Sequence, residues 1–278
     1  MKLAWVTCRA LPEADEDEPE GIEALRNAGH HVTVAAWDDA GVVWSEFDAC
    51  LIRSTWNYAR QVDAFKTWLT KVEKVSEVYN PPSVIRWNLD KRYLLALRSR
   101  GIQVLDTECC EPGDSVSNRA RQRAWDQVVV KPAVGAGSWR TQRFSNLDEA
   151  DAFGRSFTRP FLVQPVYPAF EDPGERCLVW VDGVWSHAVD KRPRFHGEDE
   201  SVRLGSPPSR EELAFGDRVL ASSPGPLLYA RLDLIHTDAG PRLSELELIE
   251  PSLFWFLGGP ARRALDRLVQ ALGTGTRP

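Results

Sequence analysis

The sequence predicts a mixed fold, α/β in its N-terminal part and α+β in the remainder. Strands and helices alternate over residues 2–75, and this order predicts a small parallel sheet. Two later segments, 176–190 and 229–252, show the alternating apolar pattern and central turn residues of antiparallel hairpins. The break at 80–82, an Asn followed by two prolines, predicts the boundary between the two parts.

The individual elements follow from hydrophobic periodicity. In the N-terminal part we expect, in chain order, strand 2–7, helix 20–28, strand 31–36, strand 49–53 and helix 60–75. In the remainder we expect helix 88–100, strand 102–105, helix 115–124, strand 127–131, helix 147–156, strand 160–165, hairpin strands 176–181 and 184–190, and helix 260–272. The polar stretch 192–212, rich in Gly, Pro and Ser, predicts a mobile loop.

Composition narrows the class of protein. The chain has 278 residues, 43% of them hydrophobic, which is enough for a core divided over one to three sub-domains. Its 34 basic and 40 acidic residues form no basic stripe, so we expect no nucleic-acid partner. No apolar run reaches membrane-spanning length, so we expect no membrane partner. The five cysteines, an odd number without metal-type spacing, indicate a cytoplasmic protein.

Three acids on the predicted hairpin 229–252 indicate a metal site. Glu245 and Glu247 are two residues apart on one strand and share a face, and Asp233 on the other strand can meet them across the hairpin. Neighbouring carboxylates repel one another unless a cation lies between them. Mg²⁺ prefers such oxygen ligands together with substrate phosphates. A solvated polar face is the alternative for any single acid, but three together favour the metal.

A phosphate-binding loop is predicted upstream. The apolar strand 127–131 ends at Lys131, and a loop of small residues with Gly135, Gly137 and Ser138 follows. Small residues let backbone N–H groups approach phosphate oxygens, and the lysine adds a point charge. The loop matches neither a P-loop nor a dinucleotide fingerprint. An ordinary turn is the alternative, but a magnesium nucleotide needs both this loop and the acidic hairpin.

Together with other landmarks, these segments resemble the ATP-grasp superfamily over essentially the whole chain. The landmarks are Asn88 and Lys91, 130–137, 164–166, 174–176, 187–191, Asp233, Glu245 and Glu247. Within the superfamily the sequence is similar to glutathione-synthetase-like ligases, and the blocks 53–58 and 245–252 resemble the branch that contains the D-cycloserine-forming cyclo-ligase. The resemblance implies an N-terminal lobe over 1–86, on the substrate side, and an ATP-grasp domain over 87–278. That domain would consist of two α+β lobes, 87–163 and 164–278, with the nucleotide between them.

The resemblance also implies the roles of individual residues. ATP and one or two Mg²⁺ ions are the implied cofactors, with Mn²⁺ as a substitute. The implied phosphate contacts are Lys91, Lys131, Gly135, Gly137, Ser138 and Lys191. Gln164 and Val166 would form the hinge that binds adenine, and Glu175 would hold the ribose, with Glu171 and Asp172 as alternatives. The implied metal ligands are Asp233, Glu245 and Glu247.

Further residues are candidates for catalysis and substrate binding. Arg203 and Arg231 have planar guanidinium groups suited to phosphate or carboxylate, and Lys191 is counted with them as catalytic. Ion pairing at the surface is the alternative for both arginines. The predicted end of strand 49–53 carries Arg53, Trp56 and Tyr58, and ligands of open α/β sheets bind beyond such strand ends. Ser252 completes the candidate substrate set.

The predicted function is an ATP-dependent carbon–nitrogen ligase. By resemblance, it would activate the carboxylate of a small amino-acid-like substrate as an acyl phosphate, join it to an amine, and release ADP and phosphate. An intramolecular cyclo-ligase of the cycloserine-forming type is one alternative, and a non-catalytic ATP-binding regulatory protein is another. A homodimer is the assembly we allow for.

Overall fold

The computed structural model describes residues 1–192 and 201–273. Its N-terminal part is the parallel sheet that the alternating elements predict. The elements are β1 (Lys2–Thr7), α1 (Glu18–Asn27), β2 (His31–Ala36), β3 (Ala49–Ser54), α2 (Val62–Val72) and β4 (Glu77–Tyr79). The strands are all parallel, in the order β2-β1-β3-β4. The central strands β1 and β3 are almost wholly buried, which explains their continuous apolar runs.

The middle of the chain forms an antiparallel sheet covered by helices. The elements are α3 (Pro82–Asn88), α4 (Tyr93–Ser99), β5 (Glu108–Cys110), α5 (Val116–Gln122), β6 (Val128–Pro132), β7 (Gln142–Phe144), α6 (Leu147–Gly154) and β8 (Phe161–Pro165). The strand order is β5-β8-β6-β7. Apolar residues of α5 and α6, such as Val116 and Ala150, share a core with Val128, Val130 and Val163 of the sheet.

A five-stranded antiparallel sheet completes the fold. Its elements are β9 (Glu175–Val181), β10 (Val184–Arg192), β11 (Ser201–Leu204), α7 (Arg210–Leu220), β12 (Tyr229–Thr237), β13 (Gly240–Glu247) and α8 (Arg262–Gly273). The order is β11-β10-β9-β12-β13, so both predicted hairpins are present. One face packs on α8 and the N-terminal sheet, and the other packs on α4 and α7. No helix in the described ranges is long and apolar enough to cross a membrane.

Two predicted elements between 88 and 105 are wrong. The predicted helix 88–100 is broken, because Asp90 Oδ1 accepts the N–H of Arg92 at 3.0 Å and the N–H of Lys91 donates to the carbonyl of Ala133 at 2.7 Å. The predicted strand 102–105 is replaced by a single bridge between Val104 and Leu243. The sheet strand lies further along, at β5, whose acid and cysteines do not show an apolar pattern.

The predicted mobile loop 192–212 is corrected where the structure describes it. Residues 193–200 lie outside the described residues. Ser201–Leu204 pair antiparallel with Val189–Arg192 as an edge strand. Helix α7 begins at Arg210 behind a capping box made by Ser209 and Glu212. The alternating exposure of β11 covers only four residues, which is too short to stand out from its polar surroundings.

The packing of the segment after the Asn-Pro-Pro break bears on the predicted lobes. Residues 87–104 were assigned by sequence to the first nucleotide lobe, 87–163. Leu94 and Leu97 of α4 instead pack in one core with Leu178 and Leu232 of the five-stranded sheet. The boundaries of the lobes at residues 86 and 163 stay predictions, since this core joins residues from both sides of the predicted boundary at 163.

Arg53 is not at the cavity, which corrects its predicted role as a substrate clamp. Its side chain is only 1% exposed and lies 3.3 Å from Asp17, measured from Nη2 to Oδ2. The rings of Trp5, Tyr229 and Trp255 surround its guanidinium, with centroids 5.0–5.6 Å away. Burial raises the pKa of Asp17 to about 6, although Arg53 opposes this shift. Arg53 thus points into the protein core, whereas Trp56 and Tyr58, which follow the same strand, line the cavity.

We predict that Arg53→Met lowers the free energy of unfolding by about 3–5 kcal/mol, because it leaves the Asp17 carboxylate buried without a cation. The double variant Arg53→Met with Asp17→Asn should recover part of this loss. Arg86→Met, which breaks the more exposed pair with Glu73, is the matched control and should cost at most about 1 kcal/mol. Urea denaturation measures all three, and equal losses for Arg53 and Arg86 would contradict the buried pairing.

Candidate active site

Residues from all three sheets line one cavity of about 680 Å³. The N-terminal lobe contributes Trp56 and Tyr58 from the loop after β3. The middle sheet contributes Lys131, the glycine loop after it and Gln164. The five-stranded sheet contributes, among others, Glu175, Lys191, Arg231, Glu245 and Glu247. A space of this size is in the range of small-molecule sites.

The acidic hairpin has the register that the sequence predicts. Asp233 on β12 lies directly opposite Glu245 on β13, and Arg231 lies opposite Glu247. A bulge follows Asp233, and its extra residue is Ser244. The hydroxyl of Ser244 lies 2.6 Å from Glu175 Oε1 and 3.0 Å from the carbonyl of Asp233. The sequence analysis missed Ser244, because a bulge leaves no signal in an alternating pattern.

The three acids are each paired with a cation. Asp233 lies 2.8 Å from both Lys191 and Arg231, Glu245 pairs with Lys91, and Glu247 pairs with Arg231. Among the described residues, no group of three or more His, Cys, Asp or Glu side chains is arranged so that it could hold a metal ion. Of the carboxylates predicted to bind a metal, Glu245 and Glu247 line the cavity and Asp233 does not, and each has a basic partner.

The pKa shifts of the three acids show how far the neighbouring cations offset the effect of burial. Burial raises the pKa of Asp233, but Arg231 and Lys191 outweigh it and hold this pKa well below the usual range. Burial also opposes ionisation of Glu245, but Lys91 and Lys131 lower its pKa. Burial raises the pKa of Glu247 to about 7, opposed by Arg231 and reinforced by Asp233 and Glu245. Carboxylate oxygens such as those of Glu245 and Glu247 are ligands that a divalent cation prefers, and its charge would offset the repulsion between them.

Lys131 is a basic residue of the same cavity that has no acidic partner in the described part of the chain. It ends β6 at the cavity wall, and none of the ion pairs among the described residues includes it, whereas Lys91 and Lys191 are paired. Burial lowers the pKa of Lys131, opposed by Glu245 and reinforced by Lys91. The lysine that the sequence predicts for phosphate contact therefore presents a cation without a carboxylate partner.

The loop after Lys131 has backbone conformations that favour small residues. Gly137 and Ser138 have positive φ angles of 57° and 56°. A Cβ on Gly135 would lie 3.1 Å from the ring of Pro132, so a larger side chain is disfavoured there. All three residues line the cavity, as does the neighbouring Trp139. The loop is held against Lys91 by the bond between the N–H of Lys91 and the carbonyl of Ala133.

Buried side chains fix β13, which carries Glu245 and Glu247. This strand is the edge of its sheet, and among the described residues its outer backbone groups have a strand-like partner only at Leu243, which bridges to Val104. The hydroxyl of Tyr93 accepts the N–H of Leu246 at 2.8 Å, and Asn88 Oδ1 accepts the N–H of Leu248 at 2.9 Å. Asn88 Nδ2 also donates to the carbonyl of Leu246 at 2.8 Å. These bonds take the place of a neighbouring strand and set the direction of the two acids.

Of the residues predicted to bind adenine and the ribose, some line the cavity and others do not. Gln164 lines the cavity, and its Nε2 donates to Thr107 Oγ1 at 2.8 Å. Val166 lies outside the cavity lining, and its N–H already donates to the carbonyl of Gln127 at 3.1 Å. Glu175 lines the cavity and lies 3.0 Å from Lys191. Of the alternatives for the ribose, Glu171 and Asp172 are exposed and do not line it.

Most of the candidate substrate-binding and catalytic residues also line the cavity, but not all of them do. Trp56, Tyr58 and Ser252 line the cavity. Arg231 lies beside Ser252, with its Nη1 donating to the Ser252 carbonyl at 3.3 Å. Arg203 is not brought to the cavity, since its side chain is 79% exposed and its guanidinium lies 3.2 Å from Asp190.

Comparisons with known proteins agree with this geometry. Residues 3–80 match the family described as the N-terminal domain of D-cycloserine synthetase DcsG. The chain is 31% identical to the cycloserine biosynthesis protein DcsG of Streptomyces lavendulae, over 90% of this chain and 92% of that protein. The crystal structure of D-cycloserine synthetase DcsG superposes with a TM-score of 0.88 at 30% identity, covering 99% of both chains.

A more distant structure shares the fold alone. The D-alanine–D-alanine ligase of Bacillus anthracis, solved in complex with ATP, superposes with a TM-score of 0.72 at 13% identity, covering 99% of both chains. The predicted fold class, an N-terminal parallel-sheet lobe followed by an ATP-grasp body, is confirmed. The chain belongs to the DcsG family of ATP-grasp enzymes, and it is an ATP-dependent ligase that forms carbon–nitrogen bonds.

Proposed function

We propose that this ligase phosphorylates the carboxylate of a small amino-acid-like substrate with Mg²⁺-ATP and that an amine then displaces the phosphate. The observation that carries the proposal is the charge distribution in the cavity. Lys131 has no ion pair among the described residues, and the pKa of Glu247 stays raised by burial and by the charges of Asp233 and Glu245, although Arg231 pairs with it. A cation of this kind suits phosphate oxygens, and surplus carboxylate suits a divalent metal.

The positions in the cavity support a division of roles. Lys91, Lys131 and Lys191 would bind phosphate oxygens together with the backbone around Gly135, Gly137 and Ser138. Gln164 would bind adenine and Glu175 would bind the ribose, with Val166 in the hinge beside the cavity rather than in its lining. Arg231 and Ser252 would hold the substrate carboxylate. We leave Arg203 out, because it lies outside the cavity lining.

Asp233, Glu245 and Glu247 would hold the metal. Bound Mg²⁺ would neutralise charge on the transferring phosphoryl group, and Mn²⁺, which accepts the same oxygen ligands, is expected to replace it. The protein contributes the fixed positions of Lys131, Lys191 and Arg231, which need no reorganisation when charge develops on the phosphoryl oxygens.

An intramolecular cyclo-ligase is the second candidate. The relationship to D-cycloserine synthetase over nearly the whole chain favours it. Opening the ring amide of cycloserine gives a serine derivative with a terminal aminooxy group. One molecule of this kind carries both the carboxylate and the attacking amine, so no separate amine would be needed. The homodimer and the cytoplasmic location remain predictions, which light scattering and cell fractionation test.

A substrate screen distinguishes the candidates. We expect ADP release from Mg²⁺-ATP to depend on an added amino acid. A coupled assay measures this release over a panel of amino acids, each tested with and without a second, separate amine substrate. The aminooxy derivative of D-serine should suffice alone if the enzyme is a cyclo-ligase, with mass spectrometry detecting loss of water from it. A separate amine requirement would favour intermolecular ligation. ATP binding without ADP release under any condition would favour the regulatory protein.

We predict that Lys131→Ala weakens ATP binding by about tenfold or more and leaves adenosine binding unchanged, because the lost charge-assisted contact is to phosphate. Titration calorimetry with both ligands measures this difference. Lys66→Ala, at an exposed position on α2, is the matched control and should change neither affinity. Equal weakening of ATP and adenosine would remove Lys131 from the phosphate site.

Glu247→Gln should reduce turnover by about 10²-fold or more while nucleotide still binds, because the variant keeps the size of the side chain and removes a charge that acts in the transition state. Steady-state ADP release and an ATP titration separate the two effects. Glu23→Gln, exposed on α1, serves as the control. Near-normal turnover of the Glu247 variant would exclude it from the metal site.

A further inference from the structure

Glu250 is an acid of the cavity for which the roles above give no use. It follows the hairpin by three residues, lines the cavity and is 7% exposed. Glu175, Asp233, Glu245 and Glu247 each have a basic side chain within ion-pair distance. None of the ion pairs among the described residues includes Glu250. It is thus a buried carboxylate of the cavity wall that has no ion-pair partner among the described residues, although the charge of Lys91 acts on it.

The surroundings of Glu250 come from the N-terminal lobe. The phenol of Tyr58 lies near its carboxylate, and the indole N–H of Trp56 donates to its backbone carbonyl at 3.4 Å. Both aromatic residues line the cavity. Burial raises the pKa of Glu250 to about 8, reinforced by Glu247 and opposed by Tyr58 and by the charge of Lys91. Because a buried charge without a partner is costly, a ligand cation would stabilise this site.

The opposite charge lies elsewhere in the same cavity. Arg231 and Lys131 are basic, and Arg231 lies beside Ser252, two residues beyond Glu250. A cavity with guanidinium on one part of its wall and a carboxylate on another is complementary to a zwitterion. A ligand with a carboxylate and an ammonium group a few bonds apart satisfies both.

We propose that Glu250, beside Trp56 and Tyr58 in the cavity wall, binds the α-ammonium group of the amino-acid substrate. The inference rests on the proposed function, whose substrate class it makes specific: the ligand must carry a free amine in addition to the carboxylate that is activated. An organic cation suits this site better than Mg²⁺ does, since the wall beside Glu250 is formed by Trp56 and Tyr58. Magnesium needs several oxygen ligands or waters in octahedral geometry.

Binding of D-cycloserine and of its desamino analogue, isoxazolidin-3-one, tests the site without turnover. Titration calorimetry of the full chain with Mg²⁺-ADP present measures both affinities. We expect the native enzyme to bind D-cycloserine about tenfold more tightly or better, the range for a hydrogen bond to a charged group. Glu250→Gln should abolish this preference without changing the affinity for the desamino analogue. Glu23→Gln should behave as the native enzyme.

Tyr58→Phe provides a second variant should Glu250→Gln fold poorly, which circular dichroism and ADP affinity would reveal. It should lower the preference by about threefold, because the carboxylate remains but loses the polar hydroxyl beside it. The proposal is overturned if Glu250→Gln, or Tyr58→Phe when it alone folds, keeps the full preference. It is also overturned if the native enzyme binds both ligands equally or neither.

Two further readouts separate this inference from the function on which it rests. If Glu250→Gln raises the Mg²⁺ concentration for half-maximal ATP binding by tenfold, Glu250 is a metal ligand and the ammonium site is wrong. If the preference for D-cycloserine is present but no amino acid elicits ADP release, the ammonium site stands and the proposed reaction fails.

Discussion

The pairing of Asp233 with Arg231 and Lys191 is the interaction on which the site depends. Asp233 and Arg231 lie on β12 and Lys191 lies on β10, with β9 between the two strands, and all three side chains are almost fully buried. Burial alone would favour a neutral Asp233, but the two cations keep it ionised. Lys191 also pairs with Glu175, and Arg231 also pairs with Glu247. Asp233 is therefore the central carboxylate of an ion-pair network of five residues.

Contacts from the remainder of the fold fix this ion-pair network and position the other residues that line the cavity. Tyr93 and Asn88 substitute for a missing strand beside β13, and the glycine loop is tied to Lys91 by a backbone bond. The N-terminal lobe is fixed to the sheet by the hydroxyl of Tyr229, which lies 2.9 Å from the carbonyl of Ile52. Each contact joins segments far apart in the chain, so the cavity forms only when all three sheets are assembled.

The sequence predicts the parts of the site whose pattern is local. Asp233, Glu245 and Glu247 follow from strand alternation and the turn between the strands, and Lys131 follows from its place before a loop of small residues. Arg53 could not be assigned correctly, because its partner Asp17 and its three aromatic neighbours lie on segments whose approach is tertiary. Strand β5 and the break before α4 were missed for the same reason, since backbone bonds to distant residues define them.

The central claim is that phosphate is transferred to a substrate carboxylate in this cavity. Labelling that carboxylate with ¹⁸O and recording the ³¹P spectrum of the released phosphate tests it directly, with the amino acid that elicits ADP release as substrate. The account predicts that the phosphate carries one ¹⁸O atom from the substrate. Phosphate whose incorporated oxygen comes only from water would contradict it.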